Sequence, residues 1–254
     1  MIFLETIAVA FSMYSALPMP QFEWTSGNMK YALCAFPLIG VVIGLLEFAA
    51  NQLCFILRVN DLVRAAALCL IPVLVTGGIH LDGYCDTSDA LASHAEPAEK
   101  LEIMKDSHIG SFAVIRLCCY FILCFAFYGS LKKLSFYAWV GIFMLSRALS
   151  GLAVCSFPLA KNTGLAHLFA AAADRKHAAA ILLGLCVFAS FLLLLNGISG
   201  FCGAAAAFLC FAAYYHTAVK QFGGITGDLA GWFLQRAELF MLAAICLVQA
   251  VLVR

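Results

Sequence analysis

Apolar residues run along this chain in blocks of membrane-crossing length, and polar residues collect between them. The runs are 2–17, 31–57, 65–79, 111–131, 134–157, 178–196, 199–217 and 237–253, separated by segments rich in Pro, Gly, Asn and charge. A helix of about 20 residues covers the roughly 30 Å hydrocarbon core of a bilayer, so each run is a candidate span. A helix in a water-soluble core carries a polar stripe at a period of 3.6, whereas residues 181–195 are interrupted by Ser190 alone. The pattern predicts an all-α, polytopic transmembrane helix bundle of about seven to eight spans. The first run carries Glu5, lacks a basic leader and ends in Leu17-Pro18-Met19-Pro20, so it reads as a retained span rather than a cleaved signal. With no internal repeat and no polar stretch able to fold alone, residues 1–254 read as one membrane domain.

With eight spans, alternation puts segments 18–30, 80–110, 158–177 and 218–236 on one face, so the candidate active-site segments 77–111 and 218–238 share it. That face holds Lys30, Lys100, Lys105, Lys161, Arg175, Lys176, Lys220 and Arg236, against Arg58, Arg64, Lys132, Lys133 and Arg254 on the other. The positive-inside rule then places the active face in the cytoplasm and both termini outside, in a multi-pass protein of the cell (inner) membrane.

Composition sharpens the picture. The chain is 64% hydrophobic and 11% charged, unlike a soluble enzyme, and its 15 basic and 14 acidic side chains leave no field for nucleic acid. Seven of the 14 acids (Asp82, Asp86, Asp89, Glu96, Glu99, Glu102, Asp106) nevertheless fall within one 25-residue window. The twelve cysteines form no CxxC pair and mostly lie in apolar runs, as buried thiols do; Cys85, inside the acidic window, is set apart.

Three elements carry candidate chemistry. If the third span continues as a helix, Asp82, Asp86 and Asp89 fall at i, i+4 and i+7, three carboxylates on one face. Such a set calls for a divalent cation, and all-oxygen donors suit Mg²⁺ or Mn²⁺. His80 beside them is a ligand, a general base or a hydrogen-bond donor to phosphate. The second element, Leu101 to Ser111, sets Lys105 beside Asp106 ahead of Ser and Gly at the start of a span, which suits a phosphate held by Lys105 and helix-start N–H groups. An amphipathic surface helix is the plainer alternative. The third, Gly223-Gly224-Ile225-Thr226-Gly227-Asp228, lets backbone approach a ligand, with Asp228 as a further metal ligand or a helix N-cap. Within the spans, Arg147 offers a planar fork for phosphate, or else it or Arg116 neutralises Glu47, which pairs with Asn51 at i, i+4.

Taken in order, His80-Leu81-Asp82-Gly83-x-x-Asp86-Thr87-x-Asp89, Glu102-Ile103-Met104-Lys105-Asp106-Ser107-x-x-Gly110 and Gly223-Gly224-x-Thr226-Gly227-Asp228 resemble the cobalamin synthase family, the adenosylcobinamide-GDP ribazoletransferases. Together with Ser15-x-Leu17-Pro18-x-Pro20, the resemblance covers essentially the whole chain. It implies an integral membrane, Mg²⁺-dependent transferase, with Mn²⁺ as the alternative metal. Such an enzyme joins α-ribazole, or its 5′-phosphate, to adenosylcobinamide-GDP and releases GMP. It implies metal binding by Asp82, Asp86 and Asp89, with Asp228 as a fourth ligand, base or orienting roles for His80 and Asp106, a catalytic phosphate contact from Lys105, and substrate contacts from Lys105, Arg147, Gly223, Gly224 and Thr226. Tyr84-Cys85, Ala90 and Ala16 depart from the family pattern; Ala16, where Arg is frequent, argues against a phosphate role for the first loop, and Ala90 implies that the helix runs past Asp89. The aspartate triplet is also similar to that of CDP-alcohol phosphotransferases, the alternative enzyme class, and a cation-coupled transporter is the alternative outside enzymes. Partners on this reading are the two substrates and the bilayer, with homo-oligomers or other cobalamin-assembly enzymes open.

Overall fold

A computed structural model describes residues 2–252, which form twelve helices. They are α1 (Ile2–Tyr14), α2 (Ser26–Met29), α3 (Ala32–Ile56), α4 (Asp61–Thr76), α5 (Ile79–Ala92), α6 (Pro97–Ile103), α7 (Ser111–Ser130), α8 (Phe136–Ser156), α9 (Leu165–Ala172), α10 (Arg175–Leu194), α11 (Gly197–Phe222) and α12 (Gly227–Leu252). Helices α3, α7, α8, α10, α11 and α12 are long and apolar enough to cross a bilayer, and the bent pair α4–α5 makes a seventh candidate. The polytopic all-α bundle expected from the hydropathy pattern is what the chain forms. The first apolar run yields only 13 residues of helix, roughly 20 Å at 1.5 Å per residue, short of a bilayer core. Arg254, counted above in the charge asymmetry, and the last residue of the eighth run lie outside the described residues.

The bundle is built around α8. Nearly all of its residues are buried, among them Trp139, Leu145, Arg147 and Leu149, and α3 and α10 pack along it over their most extensive interfaces. Lipid offers no hydrophobic drive for helices to associate, so contact comes from close backbone approach at small residues. Gly40 and Gly44, one turn apart on α3, lie against the backbone of α8: a Cβ on Gly44 would stand 2.6 Å from Val140 Cα and 2.7 Å from the Trp139 carbonyl. This Gly-x-x-x-Gly contact went unread in the sequence, although both glycines are plain to see.

Two elements differ from the sequence expectation. The third span does not continue as one helix. Gly77 and Gly78 take φ of 65° and 81°, a left-handed pair that glycine adopts without strain, and α5 leaves α4 at 95°. The Ala16 N–H, which donates to the Val75 carbonyl at 2.8 Å, serves the end of α4 at this corner. The last span begins at Gly227 rather than 237, so of segment 218–238 only residues 223–226 are loop and Glu238 lies well inside the helix. As Ala90 implied, α5 runs past Asp89, to Ala92. All twelve cysteines are free.

Replacing Gly44 by Leu puts a branched side chain where the Val140 backbone lies. The expected outcome is a loss of about 1–3 kcal/mol or more of stability, read as a lower thermal midpoint of the purified protein in detergent; an unchanged midpoint would refute the α3–α8 contact.

Candidate active site

The end of α1, the start of α5, the C-terminal half of α8, the α8–α9 connection and the start of α12 converge on a cavity of about 420 Å³. Three of the four polar segments that alternation put on one face, 80–110, 158–177 and 218–236, therefore meet at one place, while no residue of 18–30 lines the cavity. One wall is acidic. Gly83 of α5 lies against α12 so closely that a Cβ there would stand 2.7 Å from Asp228 Cα, and Gly231 of α12 approaches the His80 carbonyl in the same way, at 3.0 Å. These two contacts lock the helices together and bring Asp82 and Asp228 to the same cavity. Asp86 sits one turn beyond, half-buried, within electrostatic reach of Asp82, Asp228 and Asp89.

Asp89 has a different setting from its neighbours. Its carboxylate accepts the Gly110 N–H at 2.6 Å and the Ala113 N–H at 2.8 Å, so it caps the N-terminus of α7 from another helix. A Cβ on Gly110 would overlap that carboxylate, which explains the glycine closing the second motif. The helix start read as a phosphate cradle is thus occupied by the protein's own anion. Arg116 adds a further tie between α7 and α5, donating to the Ser88 carbonyl at 2.8 Å rather than neutralising Glu47.

The glycines of the third element shape backbone instead of touching a ligand. Gly223 ends α11 with φ of 74°, and its N–H and that of Gly224 return to Val219 and Ala218. Gly224 leaves no room for a Cβ against Leu159 and Ala160. Across this contact the Ile225 N–H donates to the Pro158 carbonyl at 2.8 Å and the Ala160 N–H to the Ile225 carbonyl at 3.0 Å, zipping the two loops together. Neither Gly223 nor Gly224 lines the cavity, so their sequence assignment to substrate contact is revised to loop geometry. Thr226 does line it, and its hydroxyl accepts the Leu229 N–H at 3.2 Å; Thr226, not Asp228, caps α12.

His80 lines the cavity in the first turn of α5, 6% exposed, between the rings of Tyr14 and Phe36, and its Nε2 has no hydrogen-bond partner. Lys105 reaches the cavity while pairing with Glu102 at 2.6 Å. Two other assignments change. Asp106 is exposed and does not line the cavity; the backbone N–H and the ring of His108 hold its carboxyl below the usual carboxylate range, which makes it a poor base. Arg147 is fully buried and does not line the cavity; its Nη1 donates to Glu238 at 2.6 Å and to the Phe143 carbonyl at 3.1 Å, so the side chain is committed to the bundle interior rather than to a phosphate. Nor does Arg147 neutralise Glu47, whose carboxylate accepts from the Tyr128 hydroxyl at 3.2 Å, while Asn51 accepts from Arg64.

Lys161 and His167 line the same cavity and carried no role in the sequence reading. The signal available was only the expectation, from alternation, that segment 158–177 lies on the same face as the acidic window. Among the described residues, no three His, Cys, Asp or Glu side chains converge tightly enough to hold a metal ion by themselves. The carboxylates facing the cavity are those of Asp82 and Asp228.

Residues 6–246 match the model of the CobS family, described as cobalamin-5-phosphate synthase. An adenosylcobinamide-GDP ribazoletransferase of Lachnoclostridium phytofermentans is 43% identical over 251 residues, covering 98% of this chain and 96% of that protein. Proteins of the same name from Clostridium botulinum and Clostridium perfringens are 29% and 32% identical, over 95% and 93% of this chain and 96% and 95% of their own lengths. No solved structure matches.

The α5–α12 contact can be opened by one substitution. Gly83→Val is expected to force the helices apart at Asp228 at a cost of about 1–3 kcal/mol, lowering the thermal midpoint. A valine variant as stable as the parent would show that the two carboxylates are not set by this contact.

Proposed function

The chain belongs to the cobalamin-5-phosphate synthase family, and from that premise we propose that it transfers α-ribazole, or α-ribazole 5′-phosphate, to adenosylcobinamide-GDP, forming adenosylcobalamin or its 5′-phosphate and releasing GMP. The observation that carries the reading is the pairing of Asp82 and Asp228 across the α5–α12 contact, on a cavity that also receives Lys105 and His80. The matched relatives carry the name of this transferase, and neither a CDP-alcohol phosphotransferase nor a transporter is favoured.

In the reaction a ribazole hydroxyl attacks the phosphorus bonded to the cobinamide side. The bond to the bridging oxygen of the diphosphate breaks, GMP leaves with that electron pair, and the hydroxyl proton passes to a base. His80 is the group for that proton: it lines the cavity with a ring nitrogen that nothing else engages. Lys105 supplies positive charge at the rim, and the apolar side chains of Leu33, Phe36 and Val154 keep the inner cavity from being flooded by water.

Asp82 and Asp228 would hold Mg²⁺, or Mn²⁺, with Asp86 as a neighbouring anion. Two carboxylates suffice because Mg²⁺ characteristically takes one or two from the protein and completes its shell with water and substrate phosphates. When bound, the ion neutralises charge on the diphosphate oxygens. Asp89, engaged by two N–H groups, serves this wall by fixing α7 to α5. The bundle is an integral multi-pass membrane protein; the excess of Lys and Arg on the active side supports a cytoplasmic orientation in the cell membrane.

Purified protein, given both precursors with and without Mg²⁺, tests the reading. GMP release is expected only with the metal, and Asp82→Asn or Asp228→Asn is expected to slow it about 10²–10³-fold, with His80→Gln losing about 10²-fold or more. Full activity after chelation, or in either aspartate variant, would overturn the metal assignment.

A further inference from the structure

The acidic wall of the cavity has a counterpart. Of the two lysines that line it, Lys105 is exposed and committed to Glu102. Lys161 is half-buried and has no carboxylate within ion-pair distance among the described residues. Its single hydrogen bond goes to the Leu101 carbonyl at 3.1 Å, at the C-terminal turn of α6, which leaves two of its three N–H donors unused. Lys161 and Asp228 line the same cavity. An ammonium drawn partly out of water and not paired with an acid is costly unless an anion comes to it. The loop that bears it is held in place by the Leu159–Ile225 backbone pair, so Lys161 is positioned by the same contact that sets Thr226 and Asp228. In α9, which follows that loop, His167 also faces the cavity, with a buried Nδ1 that lacks a partner, and His80 presents its own unpartnered nitrogen.

We propose that Lys161 is a substrate-positioning residue that binds the diphosphate of the nucleotide-bearing substrate opposite the aspartate wall and stays with the phosphate of GMP as it leaves. The two aspartates repel a diphosphate until a cation covers them; Lys161 holds it without one. The leaving phosphate gains charge as its bond to the bridging oxygen breaks, and a fixed ammonium there stabilises that gain. This assignment rests on the transferase reading above.

Lys161→Gln is the informative variant, because an amide can still donate to the Leu101 carbonyl while the charge is gone. It is expected to raise KM for adenosylcobinamide-GDP and the inhibition constant of GMP about tenfold or more, the loss of one hydrogen bond to a charged group, with KM for α-ribazole unchanged. Lys161→Arg should retain most of the parent behaviour. Equal rises in both KM values together with a lower thermal midpoint would mean that Lys161 only braces α6, and would overturn the proposal. Titration calorimetry with GMP separates this from the function itself. If the parent protein releases no GMP, the transferase reading falls, while weaker GMP binding by Lys161→Gln upholds the lysine contact and equal binding refutes it.

Discussion

An unpaired charge cannot stay in hydrocarbon, and the Arg147–Glu238 ion pair is where this constraint is met most deeply. The two side chains are 1% and 6% exposed and join the central α8 to α12. Removing one partner of such a pair leaves the other stranded, at a typical cost of about 3–5 kcal/mol. The pair therefore fixes how α12 lies on α8, in rotation and in height. Ten residues earlier on the same helix is Asp228, about 15 Å along the axis at 1.5 Å per residue. Its height above the bundle centre, its contact with Gly83 and the placing of the Thr226 cap all follow from where Glu238 is anchored.

Much of the architecture was legible because hydrophobic length is a local property of the chain. The six long spans and the i, i+4, i+7 spacing of Asp82, Asp86 and Asp89 on one helix could be read directly, and three of the polar segments meet at the cavity. The misplaced start of the last span has a physical reason. Residues 227–238 look like loop because Gln235, Arg236 and Glu238 are polar, yet Gln235 accepts from the Tyr120 hydroxyl at 2.5 Å and Glu238 from Arg147. Arg236 lies over the ring of Trp232. Polarity answered by a partner on the same or another helix does not appear in a hydropathy count. The break at Gly77-Gly78 was visible as composition, but its angle depends on where α5 docks, against α12 and α7.

The candidate site divides along the same line. Residue types and spacing pointed to Asp82, Asp228, Lys105, His80 and Thr226, and all five line the cavity. Arg147, Asp106, Gly223 and Gly224 share the motifs or the expected chemistry, but their neighbours are determined by packing between distant segments: Glu238 for Arg147, the Leu159 loop for Gly224. Lys161 was missed for the converse reason, since an isolated lysine in a polar loop has no local signature. Within the acidic window the charges serve separate ends. Asp82 faces the cavity, Asp89 caps a helix, Asp106 folds back on His108, and Glu102 restrains Lys105.

The bend between α4 and α5 also bears on the surrounding lipid. Freed from α5, α4 has 16 residues, about 24 Å of helix against a hydrocarbon core of roughly 30 Å. Its end is the glycine corner from which α5 turns away. A helix this short creates hydrophobic mismatch, which is relieved when the bilayer thins around it. Where the bilayer thins to meet α4, the aspartate-bearing helix lies in a dimple of the membrane surface. Bilayer thickness becomes a physical variable of the site, setting how far a water-soluble substrate must descend between headgroups to reach it.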